Sequence, residues 1–165
     1  MADASKAANE TVRDPFVAFN FAVEIRVDGV AMQVCDAAFS ECDGLEITMD
    51  VKTIREGGNN GKQIRLTGPY NYGQVTLKRG MTATFDLWKW VDLMLTQPKL
   101  RADADVIIFA PDHTTERARF RLTRCVPVKL KAPPLNAKDG MVAIEELQLA
   151  YESLTLKDQR DTRGA

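Results

Sequence analysis

Three groups of residues in the chain have types and spacings that could do chemistry. Arg55 to Lys62 reads REGGNNGK, a glycine- and amide-rich loop with a lysine, the composition of a loop whose backbone N–H groups cradle phosphate. Asp112 stands beside His113, the only histidine, and such a pair can move a proton. Cys35, Cys42 and Cys125 are soft ligands and thiol nucleophiles.

None of the three meets the geometry its chemistry needs. A phosphate loop of the Walker type is GxxxxGK followed by Ser or Thr and a helix. Here Gly57 precedes Gly61 by one residue too few, Gln63 stands where the hydroxyl belongs, and an extended run follows. Without a helix N-terminus there is no dipole and no set of aligned donors for an anion. His113 lies in PDHTTE, a turn by composition, and no GxSxG elbow accompanies it. The cysteines lack CxxC spacing and read as reduced, small hydrophobes. No cofactor or metal is expected. The alternative of a ligand-binding or hydrolytic β-barrel would have to rest on Asp112 and His113 alone.

The elements around these residues are mostly strands. In FNFAVEIRV, Phe19, Phe21, Val23, Ile25 and Val27 alternate with Asn20, Ala22, Glu24 and Arg26, the period of a strand with one buried face. Asp28-Gly29 signals a hairpin into a second strand near Val30 to Val34. Leu45, Ile47, Met49 and Val51 alternate again, and Ile54 falls on the opposite parity. That shift implies a bulge, or a strand end that has left the core. Leu45 to Leu66 thus reads as a long hairpin with the glycine loop at a tip clear of the body. QVTLKRG, DVIIFA and RARFRLTRC are further strands, the last with Ala118, Phe120 and Leu122 inward and Arg119, Arg121 and Thr123 outward. In MVAIEELQLAYESLTL the parity changes at Glu145 and Glu146, which predicts a second bulge. Only TFDLWKWVDLMLTQP has helical spacing, through Phe85, Trp88, Val91 and Leu95 with Leu87, Trp90 and Met94 widening the stripe. Thr82 or Thr84 would cap it and Pro98 follows its end.

Seven or eight strands around one amphipathic helix, without strand-helix alternation, predict a mainly β protein: two packed antiparallel sheets (a sandwich or partial barrel), one flanking α-helix and a long projecting hairpin. The 165 residues suit one domain, expected over 14–156 with a flexible arm at 1–13 and a flexible tail at 157–165. A net charge of -1 argues against a generally polycationic nucleic-acid binder. The charge is uneven, however. Asp36 to Asp50 is acidic without a cation, and Arg117 to Lys131 is basic without an acid, which suggests contact between unlike surfaces or simply two solvated faces. No secretory leader and no membrane-length apolar run is read, so assembly in the cytoplasm without membrane anchoring is expected.

Several separated blocks, DPFVAFNFAVEI, GLEITMDVKTIREGGNN, LTGPYNYGQVTLKRGMT with LWKWV, and PPLNA with VAIEELQLAYESL, resemble the tail tube (inner tube) protein family of contractile-tailed phages and phage-tail-like contractile injection systems. The resemblance runs from Asp14 to Leu156. It implies a non-enzymatic structural protein whose hexameric rings stack into a hollow tube, driven through a target envelope when a surrounding sheath contracts. It also implies partners: further copies of the chain, a sheath protein, baseplate and tube-initiator proteins, a tube cap or terminator, and protein or DNA cargo in the lumen. A tube initiator of the same fold is the close alternative.

Residue by residue, the family's subunit-contact hairpin corresponds to Glu46 through Leu66, with Arg55, Glu56, Gly57, Gly58, Asn59, Asn60 and Lys62 at its tip. The family's structural motif falls on Tyr72, Gly73, Lys78, Arg79 and Gly80, and its tryptophan-bearing helix on Trp88 and Trp90. Polar residues such as Glu24, Arg26, Thr48 and Asp50 would face a wet lumen. The particle itself would be a phage tail or a phage-tail-like device, and its release from the cell is a further expectation of the resemblance.

Overall fold

The computed structural model describes residues 20–29, 33–37, 39–55, 57–58, 63–138 and 140–158, with 33–37 and 158 described by their backbone alone. The expected arm at 1–13 and most of the expected tail lie outside these residues.

Alternating apolar residues make most of the elements. The strands are β1 (Phe21–Val27), β2 (Gln33–Ala37), β3 (Glu41–Asp43), β4 (Ile47–Arg55), β5 (Gln63–Tyr72), β6 (Gln74–Gly80), β7 (Ala102–Phe109), β8 (Glu116–Lys131), β9 (Ile144–Ala150) and β10 (Ser153–Asp158), with one helix, α1 (Asp86–Thr96), between β6 and β7. All pairings are antiparallel, as expected. One sheet runs β2-β1-β7-β8 with β10 on the far side of β8, and the second runs β8-β9-β6-β3; β4 and β5 pair only with each other.

The strand common to both sheets is β8. Its first part pairs with β7 and β10 and its last part with β9. Between them β8 carries an extra residue relative to β7, where Arg124 adopts φ 53. The Arg124 amide donates to Asp103 Oδ1 at 3.1 Å. A bulge of this kind bends and twists a strand, and here it turns the chain from one sheet into the other.

The inward faces of the two sheets share one core. Val23, Ile25 and Val27 of β1, Ala104 and Val106 of β7, Leu122 and Cys125 of β8, Val75 and Leu77 of β6, and Leu147 and Leu149 of β9 are buried in it with Leu87 and Trp90 of α1. Burial on this scale is the main source of stability. The indole N–H of Trp90 has no hydrogen-bond partner among the described residues.

The structure revises several sequence expectations. Strand β9 is regular, so no bulge occurs at Glu145 and Glu146; Glu145 is buried in phase with Leu147 and Leu149. The register shift lies across the ladder, in β8 between Pro127 and Lys129. The helix is rotated from the expected stripe, with Leu87 and Trp90 buried while Phe85 and Leu95 are exposed. Neither Thr82 nor Thr84 caps it. Phe85 takes the N-cap position at φ 50 without a side-chain cap bond, and Asp86 Oδ1 accepts from the Leu87 N–H at 3.0 Å instead. The strand count is higher than expected because β3 is too short to show a period and β9 and β10 divide at Tyr151 and Glu152.

Candidate assembly surface

The longest uninterrupted exposed feature is the β4–β5 ribbon. Every described residue of β4, and all of β5 apart from Gly68, is exposed. The sequence placed only the hairpin tip outside the body; the structure places both strands there. Ile47, Val51, Ile54, Leu66 and Tyr70 are between 44% and 64% exposed.

The ribbon's root is tightly built. Gly44 adopts φ 92, and a Cβ there would run into the carbonyl of Gln74; at Gly73 it would overlap the Glu46 side chain. The Gly73 N–H donates to the Glu46 carbonyl at 3.3 Å. The buried Tyr151 supplies the remaining contacts. Its hydroxyl accepts from the Glu46 N–H at 3.2 Å and points its own hydrogen toward the carbonyl oxygens of Gly44 (3.1 Å) and Glu46 (3.0 Å). Its ring lies 5.9 Å from that of Tyr72, tilted by 56°. The strand that leaves the body and the strand that returns are therefore held by one side chain. Along the ribbon, Thr48 Oγ1 donates to the Asn71 carbonyl (3.3 Å) and Asn71 Nδ2 to Asp50 Oδ2 (3.0 Å).

Of the expected tip residues, Arg55 ends β4 in an exposed position, and Gly57 and Gly58 lie in a turn, Gly58 with φ 101. Glu56, Asn59, Asn60 and Lys62 lie outside the described residues. Tyr72 and Gly73 belong to the root. Lys78, on β6, is on the surface and donates to Glu41 Oε2 of β3 at 2.7 Å. Gly80 ends β6 opposite Ile144.

Arg79 is part of the interior, not of a surface. It stands opposite Glu145 in the β6–β9 ladder, and its Nε donates to Glu145 Oε1 at 2.7 Å, with both side chains buried. Its guanidinium also pairs with Asp86 at the start of α1 and lies over the Phe39 ring, 5.6 Å from the centroid. Trp88 Nε1 completes Glu145 by donating to Oε2 at 3.1 Å. A buried carboxylate and guanidinium this well satisfied tie α1 to both β6 and β9. Glu145, Tyr151, Asp86 and Asp105 are residues whose roles sequence reasoning missed. The signal for Glu145 was present, since it keeps the parity of Leu147 and Leu149.

Much of the basic segment of β8 is likewise paired with carboxylates of its own protomer. Asp105, buried on β7, receives Arg26 (2.7 Å), Arg119 (2.9 Å) and Arg121 (3.0 Å). Arg119 also pairs with Glu116, Arg124 with Glu152 and Lys129 with Glu146. Burial pushes the Asp105 carboxyl up, but the hydrogen bonds and charges of Arg121 and Arg119 outweigh it and hold the group below its ordinary value. Glu24 and Arg26 belong to this same outward face of the first sheet, whereas Thr48 and Asp50 lie on the ribbon.

The residues first weighed for catalysis have other partners. Asp112 Oδ1 accepts from the Thr114 N–H (3.1 Å) and the Thr115 N–H (2.9 Å), which closes the turn around His113. The Thr115 hydroxyl donates to Asp112 Oδ2 at 2.5 Å, and this bond first, then the two backbone bonds, draws the Asp112 carboxyl down to about 2. Burial pushes the Cys42 thiol up to about 11 and that of Cys125 up to about 12, so neither supplies a thiolate near neutral pH. The side chain of Cys35 is outside the described set.

The family model described as T4-like virus tail tube protein gp19 matches residues 17–155, which takes in the ribbon, its root and the Arg79 cluster. The chain belongs to that family. Solved structures agree in fold. A chain of the anti-feeding prophage (AFP) baseplate, 6-fold symmetrised, is 24% identical with a TM-score of 0.79, over 88% of this chain and 97% of that one. A chain of the PVC sheath-tube complex of an extracellular contractile injection system, in the extended state, is 18% identical with a TM-score of 0.75, over 94% and 99%. Hcp1 from Flavobacterium johnsoniae is more distant, at 15% identity and a TM-score of 0.50 over 83% and 95%. No curated protein sequence matches the chain.

Proposed function

We propose that the chain is the inner-tube subunit of a contractile injection device or phage tail. Copies form hexameric rings, the rings stack into a hollow tube, and a contracting sheath drives the tube through a target envelope. The observation that carries this reading is a ribbon whose large apolar residues all remain exposed on their own protomer, in a chain that matches the tail tube family over residues 17–155. Surface of that kind is a contact waiting for a partner.

Ring closure has a route in the topology. The first sheet ends in β2 on one side and β10 on the other, and an open strand edge is a template for another strand. With β10 of one copy beside β2 of the next, six sheets become one barrel. Its lumen is lined by the charged face around Asp105, whose cations and carboxylates neutralise one another and leave the wall hydrated. Stacking is a head-to-tail contact that does not close, and such contacts make filaments. Sheath, baseplate, initiator and cap or terminator proteins are the expected neighbours, with protein or DNA as cargo. Assembly takes place in the cytoplasm, without membrane anchoring, before any release of the particle.

Electron microscopy and sedimentation of the purified protein test the reading. Rings and tubes are expected. Single rings that never lengthen without baseplate proteins identify the tube initiator of the same fold, and a protein that stays monomeric with and without its sheath overturns both. Removal of Gly57 to Asn60 is expected to leave a folded protomer with impaired rings or stacking.

A further inference from the structure

Strand β2 closes one side of the first sheet with little of its own to hold it. It is five residues long, its only strand neighbour is β1, and the register between them shifts at Ile25 and Arg26. A short strand with one neighbour belongs to the least stable part of a fold. Two attachments outside the sheet offset this, and both lead back to Arg79.

The first runs through the chain that leaves β2. Phe39, just after the strand, is buried in the core with the Arg79 guanidinium over its ring, and a desolvated cation is attracted to a ring face in that position. The N–H and the hydroxyl of Ser40 both donate to the Lys78 carbonyl, at 2.8 and 3.0 Å, so the exit from β2 is pinned to β6 at residues 78 and 79. The second runs through α1, which packs against β2. The helix begins at Phe85 without a side-chain cap, and Arg79 fixes that start instead. Its Nη1 donates to Asp86 Oδ2 at 3.2 Å and its Nη2 to Asp86 Oδ1, while Glu145, bonded to Arg79 Nε, accepts from Trp88. One buried cation of the second sheet thus reaches an edge strand of the first by two routes.

We propose that Arg79 is a positioning residue for ring closure: by holding Phe39 and α1 it seats β2 where a strand of the next copy adds. The inference rests on the reading of β2 and β10 as joining edges, and it names what keeps one of those edges in place. An edge is a template only while its backbone is extended and fixed. A β2 that frays must be ordered again at each joining step, and that ordering weakens association.

Asp86→Asn and Phe39→Leu each cut one route, and Arg79→Met cuts both. Native-state hydrogen exchange of the protomer compares the β2 amides that bond β1 with the amides of β7, an interior strand of the same sheet. Each single-route variant is expected to speed β2 exchange at least about tenfold and to leave β7 within about twofold, with a larger β2 effect in Arg79→Met. The concentration needed for ring closure should rise in the same order. Glu41→Gln, which breaks the exposed pair with Lys78 next to Arg79, should change neither. Equal acceleration in β2 and β7 is a general loss of stability and overturns the positioning role, as does unchanged β2 exchange in both single-route variants; these two decide if Arg79→Met does not fold. Faster β2 exchange with normal ring closure overturns the link to assembly. A wild-type chain that forms no rings overturns the inner-tube reading and the ring-closure role with it, and exchange alone then decides whether Arg79 holds β2.

Discussion

The hydroxyl of Tyr151 lies 3.0 Å from the carbonyl oxygen of Glu46, and the two residues are 105 positions apart in the chain. The body thereby holds a ribbon whose strands pair only with each other. Tyr151→Phe keeps the ring against Tyr72 and removes only the hydroxyl bonds. The expected cost is about 1–2 kcal/mol in chemical denaturation, with faster hydrogen exchange at the Glu46 amide than in the wild type. An unchanged exchange rate there would show that the hydroxyl does not set the root.

The Arg79–Glu145 pair predicts a larger effect. Glu145→Ala leaves a buried guanidinium short of one carboxylate and strips Trp88 Nε1 of its acceptor, so a loss of ~3–5 kcal/mol is expected. A double-mutant cycle with Arg79→Met measures the coupling, which should exceed that of the exposed Lys78–Glu41 pair several-fold.

Acid sensitivity follows from Asp105 and Asp86. For both, burial alone raises the carboxyl, and arginine partners, Arg121 and Arg119 for the first and Arg79 for the second, bring it below 3.8. A group depressed in the folded state binds its proton more readily when unfolded, so its contribution is complete above 3.8 and is lost as pH falls through the folded value. Denaturation midpoints are expected to hold between neutral pH and about 5 and to fall below about 4. Asp105→Asn should lower stability at neutral pH and flatten that acid limb.

Three glycines separate strain from space. Gly44→Ala meets both a positive φ and the Gln74 carbonyl and should lower the melting temperature of the body. Gly58→Ala has the positive φ in open space, and Gly57→Ala has neither obstacle. The left-handed region costs a non-glycine residue about 1–2 kcal/mol. At Gly58 that cost falls on a ribbon tip that can fray alone, so body melting should be unchanged for both tip variants.

Most of the body was legible in the sequence because alternation in β1, β8 and β6 reports a buried face whichever sheet supplies it. The ribbon was legible as a projecting hairpin, but not that its strands are exposed down to the root. Ile47, Met49 and Val51 alternate in the same way whether they face their own core or another molecule. Glu145 was misread because a carboxylate at a core position looks like a slip until Arg79 is seen opposite it. The basic run on β8 looked like a patch because its counter-charges, Asp105 on β7 and Glu152 after β9, are remote in sequence. Helix phase failed at Phe85, where a left-handed backbone set the start of α1 in place of a threonine cap.

The position of Tyr151 in the chain also orders events during synthesis. The ribbon emerges from the ribosome well before the residue that secures its base, which follows β9. A nascent chain thus carries the exposed ribbon without a fixed angle between ribbon and body, and it gains that angle only when β9 has closed against β6 and β8. The direction in which the ribbon leaves the body is therefore set only after the strands on both sides of β9 are already in place.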